Sequence, residues 1–102
     1  GRYKFYTIKP GAYPFVVNNN AWRPPHIHLS LFGPSIATRL VTQIFFPGDP
    51  LLKQDPIFMG VPEHARDRLV STFDIDETEP NYALGYQFDI VLRGREETPM
   101  VD

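Results

Sequence analysis

The sequence predicts a mostly β domain with long, shaped loops, and three observations carry that prediction. Eleven prolines in 102 residues argue against a helical bundle, because proline lacks an N–H and breaks helix interiors. Aromatic residues make up 14% of the chain, and they fall beside β-branched residues in short runs, the composition of strands. Clusters of Gly, Pro, Asn and Asp separate those runs, as turns separate strands. A chain of 102 residues holds one hydrophobic core and is too short for two.

Each element follows from its residues. Residues 3–8 (YKFYTI) read as a strand that Lys9-Pro10-Gly11 ends with a turn. Residues 12–25 read as a loop, with Pro14, the run Asn18, Asn19, Asn20, and then Pro24 and Pro25; a loop of that length is more often functional than a plain connector. Residues 26–32 (HIHLSLF) alternate, with His26, His28, Ser30 and Phe32 on one face and Ile27, Leu29 and Leu31 on the other. After a turn at Gly33-Pro34-Ser35, residues 36–46 form a second strong strand, so the two strands pair as a hairpin. An irregular stretch runs from Pro47 to about Gly60. One short helix follows, with Pro62 and Glu63 in its first turn and Ala65, Leu69 and Val70 at helical spacing. Residues 71–75 suit a short strand, 76–81 (DETEPN) an acidic loop, 84–93 (LGYQFDIVLR) a last strand, and 94–102 a polar tail. About four strands are too few for a complete sandwich or barrel.

Composition removes several classes of function. No apolar run approaches the roughly 20 residues of a membrane span, so no membrane partner is expected. The net charge of −2 offers nucleic acid no basic footprint. Cysteine is absent, which excludes a disulfide scaffold, a thiolate nucleophile and a cysteine-ligated metal. The chain starts at Gly1 with neither an initiator Met nor a signal peptide; a cytoplasmic location and a trimmed piece of something longer are the expectations.

The sharpest chemical feature is His26-Ile27-His28. On a strand, residues i and i+2 project from one face, so two imidazoles point the same way from a rigid backbone. That arrangement suits two nitrogen ligands of one metal, and equally two polar residues on a solvent face. Arg23-Pro24-Pro25 fixes the entry to the strand, and a proline-flanked tyrosine, Tyr13, lies in the preceding loop. Two imidazoles with a phenolate form a hard, anionic ligand set suited to Fe(III).

These stretches resemble a known family. Residues 22–33 (WRPPHIHLSLFG) and 7–14 (TIKPGAYP) resemble the intradiol ring-cleavage dioxygenases. Residues 34–43 (PSIATRLVTQ), 46–51 (FPGDPL) and 88–94 (FDIVLRG) are similar to the β chain of the protocatechuate-cleaving branch. The resemblance covers nearly the whole chain. It implies an antiparallel β-sandwich of the intradiol type, of which residues 1–102 would be the incomplete C-terminal part of a single catalytic domain. It also implies one non-haem Fe(III) held by two tyrosines and two histidines. By motif position, the second tyrosine falls on Tyr13 and the histidines on His26 and His28. The arginine before the pair falls on Arg23, and the glutamine of the next strand on Gln43. Tyr13, Arg23 and Gln43 are thus the expected catalytic residues.

What the resemblance implies for activity follows. A catecholic substrate binds the ferric ion as a dianion, Tyr13 takes a substrate proton, and Arg23 stabilises negative charge on the ring. O2 then opens the ring between its two hydroxyl-bearing carbons, which for protocatechuate gives 3-carboxy-cis,cis-muconate. Members of this branch pair with a homologous α subunit in a hetero-oligomer. Other readings stay open on the sequence alone: a catechol or hydroxyquinol dioxygenase, or a non-catalytic β module. Arg23 also suits a surface ion pair, and Gln43 a polar sheet face. Two departures stand out. The first family tyrosine lies well upstream of the Tyr-Pro motif, and Tyr3, Tyr6, Tyr82 and Tyr86 do not occupy its position, so the 102 residues alone are expected to bind metal weakly and not to turn over. After Pro14, where the family continues with tryptophan and a basic or polar residue, the chain reads Phe15-Val16-Val17. His64 reads as a solvated helix residue and residues 74–79 as a solvated acidic loop.

Overall fold

The computed structural model describes residues 2–16, 21–33 and 39–101. Its strands form three two-stranded antiparallel pairs, joined by short helical segments, so regular structure is mainly β, as predicted. The strands are β1 (Tyr13–Val16), β2 (Ala21–Arg23), β3 (His26–Leu31), β4 (Leu40–Phe45), β5 (Thr72–Phe73) and β6 (Tyr86–Gln87). No closed barrel forms among the described residues.

The β3–β4 hairpin is the centre of the fold, and its register places the site. His26 pairs with Phe45, His28 with Gln43 and Ser30 with Val41. Residues directly opposite in an antiparallel ladder share a face, so His26, His28, Gln43 and Phe45 lie together on one side. The other side carries Ile27 against Ile44 and Leu29 against Thr42. The expected strand over residues 36–46 thus appears as Leu40–Phe45, while residues 34–38 lie outside those described.

Two Asp-Pro steps build the segment after β4. Asp49 caps a 3₁₀ helix over Pro50–Gln54, its side chain accepting from the Leu51 N–H, and Asp55 caps α1 (Pro56–Met59), accepting from the Phe58 N–H. Capping carboxylates followed by proline satisfy the orphan donors of a first turn. The stretch expected to be irregular is thus locally helical. The helix expected from Pro62 is present as a second 3₁₀ segment, Glu63–Leu69, with Pro62 as its cap. Phe45, Phe58, Val61, Ala65, Leu69 and Val101 form the core, with Leu52, Ile57 and Val70 packed against it. The core therefore sits between β4 and the helical segments. The Ser71 N–H donates to the Phe45 carbonyl at 2.8 Å and closes that layer.

Four expectations need correction. Residues 3–8 form no strand; Tyr3, Phe5, Tyr6 and Ile8 are exposed. Side chains tether them instead, through Tyr3 to the Phe88 carbonyl, Lys4 to Glu77 and Tyr6 to Glu79. Aromatic composition measures fit to a pleated surface, and no described strand edge pairs with this segment. The expected loop over residues 12–25 contains β1 and β2, with Tyr13 opposite Arg23 and a bulge between Pro14 and Val16; residues 17–20 lie outside those described. The last strand shrinks from residues 84–93 to Tyr86–Gln87, because its partner β5 is only two residues long. The polar tail is partly internal: the Val101 N–H donates to the Val41 carbonyl at 2.9 Å, and Thr98 and Val101 are buried.

Candidate active site

Arg23, at the end of β2, is the hub. Its side chain is buried and donates to two carboxylate oxygens, Nε to Asp55 Oδ1 at 3.0 Å and NH2 to Asp55 Oδ2 at 2.9 Å. NH2 also donates to Gln43 Oε1 at 2.7 Å. NH1 donates to His26 Nε2 at 3.1 Å and reaches the Tyr13 hydroxyl at 3.4 Å. The five residues singled out by the sequence, Tyr13, Arg23, His26, His28 and Gln43, thus fall into one cluster. Arg23 is an ion-pair partner, but a buried one rather than a surface one. Gln43, also fully buried, faces the cluster rather than solvent.

The state of His26 is set by its neighbours. Nδ1 lies 2.9 Å from the Pro24 carbonyl, which only accepts. Nδ1 therefore carries the proton and Nε2 the lone pair. Burial, foremost, holds His26 below the ordinary imidazole value, and the positive charge of Arg23 and the neighbouring His28 act in the same direction. In Arg23, burial pulls the affinity for protons down, but the hydrogen bonds and charge interactions with Asp55 and Tyr13 together outweigh it and the net shift is upward. A charged fork and a neutral imidazole follow.

The donor set fits a hard metal ion. His26 Nε2 and His28 Nε2 lie 3.3 Å apart. Two nitrogens each about 2.1 Å from one metal, at a right angle to each other, are about 3 Å apart. The Tyr13 ring is 5.7 Å from the His26 ring, centroid to centroid. Among the described residues, no three His, Asp or Glu side chains converge to hold a metal, so a phenol oxygen would be the third donor. Gln43 Nε2, though buried, has no hydrogen-bond partner among the described residues, a donor that a bound ligand can satisfy. Tyr13 and His28 are exposed, so the cluster opens to solvent on their side and is closed by Phe45 and Asp55 on the other.

The comparisons with known proteins place the chain in a family. A family model described as dioxygenase matches residues 1–94. The chain belongs to this dioxygenase family. It is 68% identical over 100 residues to the protocatechuate 3,4-dioxygenase β chain of Burkholderia cepacia, covering 98% of this chain and 43% of that one. It is 32% identical to the α chain of the same enzyme from Pseudomonas putida, over all of this chain and 49% of that one. A hydroxyquinol 1,2-dioxygenase of Rhizobium sp. (strain MTP-10005) is 35% identical over 62% of this chain and 24% of its own length. The chain thus spans less than half the length of these curated relatives. Among the described residues no helix is long and apolar enough to cross a membrane.

Sequence reading missed Asp55. Its signal was the Asp-Pro step, the mark of a helix start; nothing in the sequence said that the same carboxylate would meet Arg23, 32 residues away.

Proposed function

We propose that this chain is the C-terminal part of the catalytic domain of a non-haem Fe(III) intradiol dioxygenase subunit. Its substrate is protocatechuate, its co-substrate O2, and its product 3-carboxy-cis,cis-muconate. The carbon–carbon bond between the hydroxyl-bearing carbons breaks, and each atom of one O2 enters one of the two new carboxylates. The observation that carries this reading is the convergence of His26 Nε2 and His28 Nε2 at 3.3 Å beside Tyr13 and a buried arginine. The relatives support protocatechuate over hydroxyquinol, since the identity is 68% in the first case and 35% over a shorter span in the second. Similarity to α chains as well supports a homologous α subunit as partner in a hetero-oligomer.

Tyr13, His26 and His28 would hold the iron, with a further tyrosine from outside these residues. Bound ferric iron supplies Lewis acidity that favours the catechol dianion. The chain's own residues do the rest. The Pro24 carbonyl keeps the proton on His26 Nδ1, so Nε2 is ready to ligate. Tyr13, exposed at the mouth of the cluster, accepts a substrate proton on its oxygen. Arg23 holds a permanent positive charge against the developing negative charge of the ring. One lone pair cannot serve both NH1 and a metal, so NH1 would give up its bond to His26 Nε2 in a loaded site and be left facing the substrate side. Gln43 accepts from NH2 and offers its own Nε2–H to bound ligand.

The test is visible absorption of the full-length protein reconstituted with iron. A tyrosinate-to-Fe(III) charge-transfer band is expected, with ring cleavage of protocatechuate, and Tyr13→Phe is expected to alter the band. A folded, iron-treated protein that stays colourless overturns the reading.

A further inference from the structure

We propose that Asp55 is the positioning residue for Arg23, fixing the plane of its guanidinium so that NH1 faces the Tyr13–His26 side of the cluster. The proposal rests on the reading of the site just given. A guanidinium is a rigid planar fork, and Asp55 occupies one whole edge of it, Nε and NH2, at 3.0 and 2.9 Å. With that edge held, NH1 projects from the opposite corner, where it meets His26 Nε2 at 3.1 Å. Gln43 Oε1, at 2.7 Å from NH2, limits rotation about the same plane.

Asp55 is itself immobilised. It is fully buried, and Oδ2 also accepts from the Phe58 N–H at 3.3 Å as the cap of α1. Pro56 follows it in the first turn, and Phe58 sits in the core edge-on to Phe45 at 5.1 Å. Arg23 therefore takes its position from the core through one carboxylate. Among the described residues the hydrogen bonds of Asp55 go to Arg23 and to the backbone of α1, so its hold on the position of the reacting groups runs through Arg23.

The cap and the fork can be separated. Asn caps a helix as well as Asp does, but its amide presents N–H groups to the guanidinium in place of one acceptor. Asp55→Ser keeps a capping oxygen and removes the carboxylate. In the full-length, iron-loaded enzyme, Asp55→Asn is expected to lower kcat for protocatechuate about 10²-fold, with KM changed less than about threefold. Iron content and the tyrosinate band are expected to be retained. In an Arg23→Lys background, adding Asp55→Asn is expected to cost less than about threefold more, because residues acting through one group are not additive. A crystal structure of Asp55→Asn is expected to keep α1 and to displace NH1 from its wild-type position. Asp55→Ser provides the same comparison if Asp55→Asn folds poorly. Full activity in Asp55→Asn, losses that add to those of Arg23→Lys, or an unmoved NH1 in an impaired variant each overturn the positioning role. A wild-type enzyme without ring cleavage overturns the reading of the site and this role with it; an active wild type with additive losses overturns this role alone.

Discussion

Phe45→Ala tests whether the core and the candidate site are one mechanical unit. Phe45 is fully buried. Its ring lies 5.1 Å from that of Phe58 and 5.7 Å from that of His26, and the Arg23 guanidinium carbon is 6.0 Å from its centroid. The ring is therefore the floor of the site and the roof of the core. Truncating a buried Phe to Ala costs about 3–5 kcal/mol. Two aromatic contacts worth about 0.5–1.5 kcal/mol each are lost with the ring, which places this case in the upper half of that range. Against a total stability of about 5–15 kcal/mol, that is a large fraction. With a urea slope of about 2–3 kcal/mol per M, the midpoint falls by about 1.3–2.5 M. Phe45→Leu refills most of the space and is expected to cost about 1–2 kcal/mol. The assay is urea unfolding of the full-length protein, with iron retention against a chelator measured on the same samples. Iron is expected to leave the Ala variant faster than the Leu variant, because the His26 ring loses its support. An Ala variant that loses less than about 1 kcal/mol, or Leu and Ala variants that release iron equally, would refute the reasoning.

Three further perturbations probe other contacts of the chain. Because burial holds His26 below its ordinary value of 6.5, the folded state favours the neutral ring, and its contribution to stability is complete above pH 6.5 and lost as pH falls toward the folded value; metal-free protein is expected to melt lower on acidification, and His26→Gln to flatten that slope. A Cβ on Gly85 would lie 2.5 Å from the Glu77 carbonyl carbon and 2.8 Å from the Asp74 oxygen, both backbone atoms, so Gly85→Ala is expected to cost about 2–3 kcal/mol and to open residues 74–85 to limited proteolysis. Thr42→Val removes the buried hydroxyl that donates to the Pro99 carbonyl at 2.8 Å; a loss of about 1–2 kcal/mol and faster amide exchange at Val101, which is anchored beside it, are expected.

The site was more legible in the sequence than the fold around it, for physical reasons. The His-x-His spacing and the alternation around it are local, and a strand's period of two converts them directly into a shared face. That is why the faces of β3 are legible in the sequence alone. The pairing of Tyr13 with Arg23 could not, because it depends on a bulged hairpin whose strands carry Pro14 and whose connection is polar. Residues 3–8 show the opposite failure: strong β composition with no partner edge among the described residues. Asp55 shows a third kind, a local helix cap whose second role depends on the tertiary fold bringing positions 23 and 55 together. Composition speaks to local geometry, whereas pairings across tens of residues are decided by the packing of the core.

The step Arg23-Pro24-Pro25-His26 links these levels. Proline has no N–H, so Pro24 presents its carbonyl without a competing donor of its own, and the nearest ring nitrogen, His26 Nδ1, takes it at 2.9 Å. That bond fixes the tautomer and leaves the lone pair on Nε2. The same turn brings Arg23 back so that NH1 lies 3.1 Å from that lone pair. A proton on Nε2 would then place a second positive charge against a guanidinium held by Asp55, in a site where burial already disfavours charge. His26 is kept neutral by burial and by the neighbouring cation, while the carbonyl, which on its own favours the protonated ring, selects the nitrogen that carries the single proton. A neutral imidazole with a free, directed lone pair is what a metal requires of a histidine ligand. The prolines that first argued only against helix therefore help to set the tautomer of a proposed ligand, through a backbone oxygen rather than through a side chain.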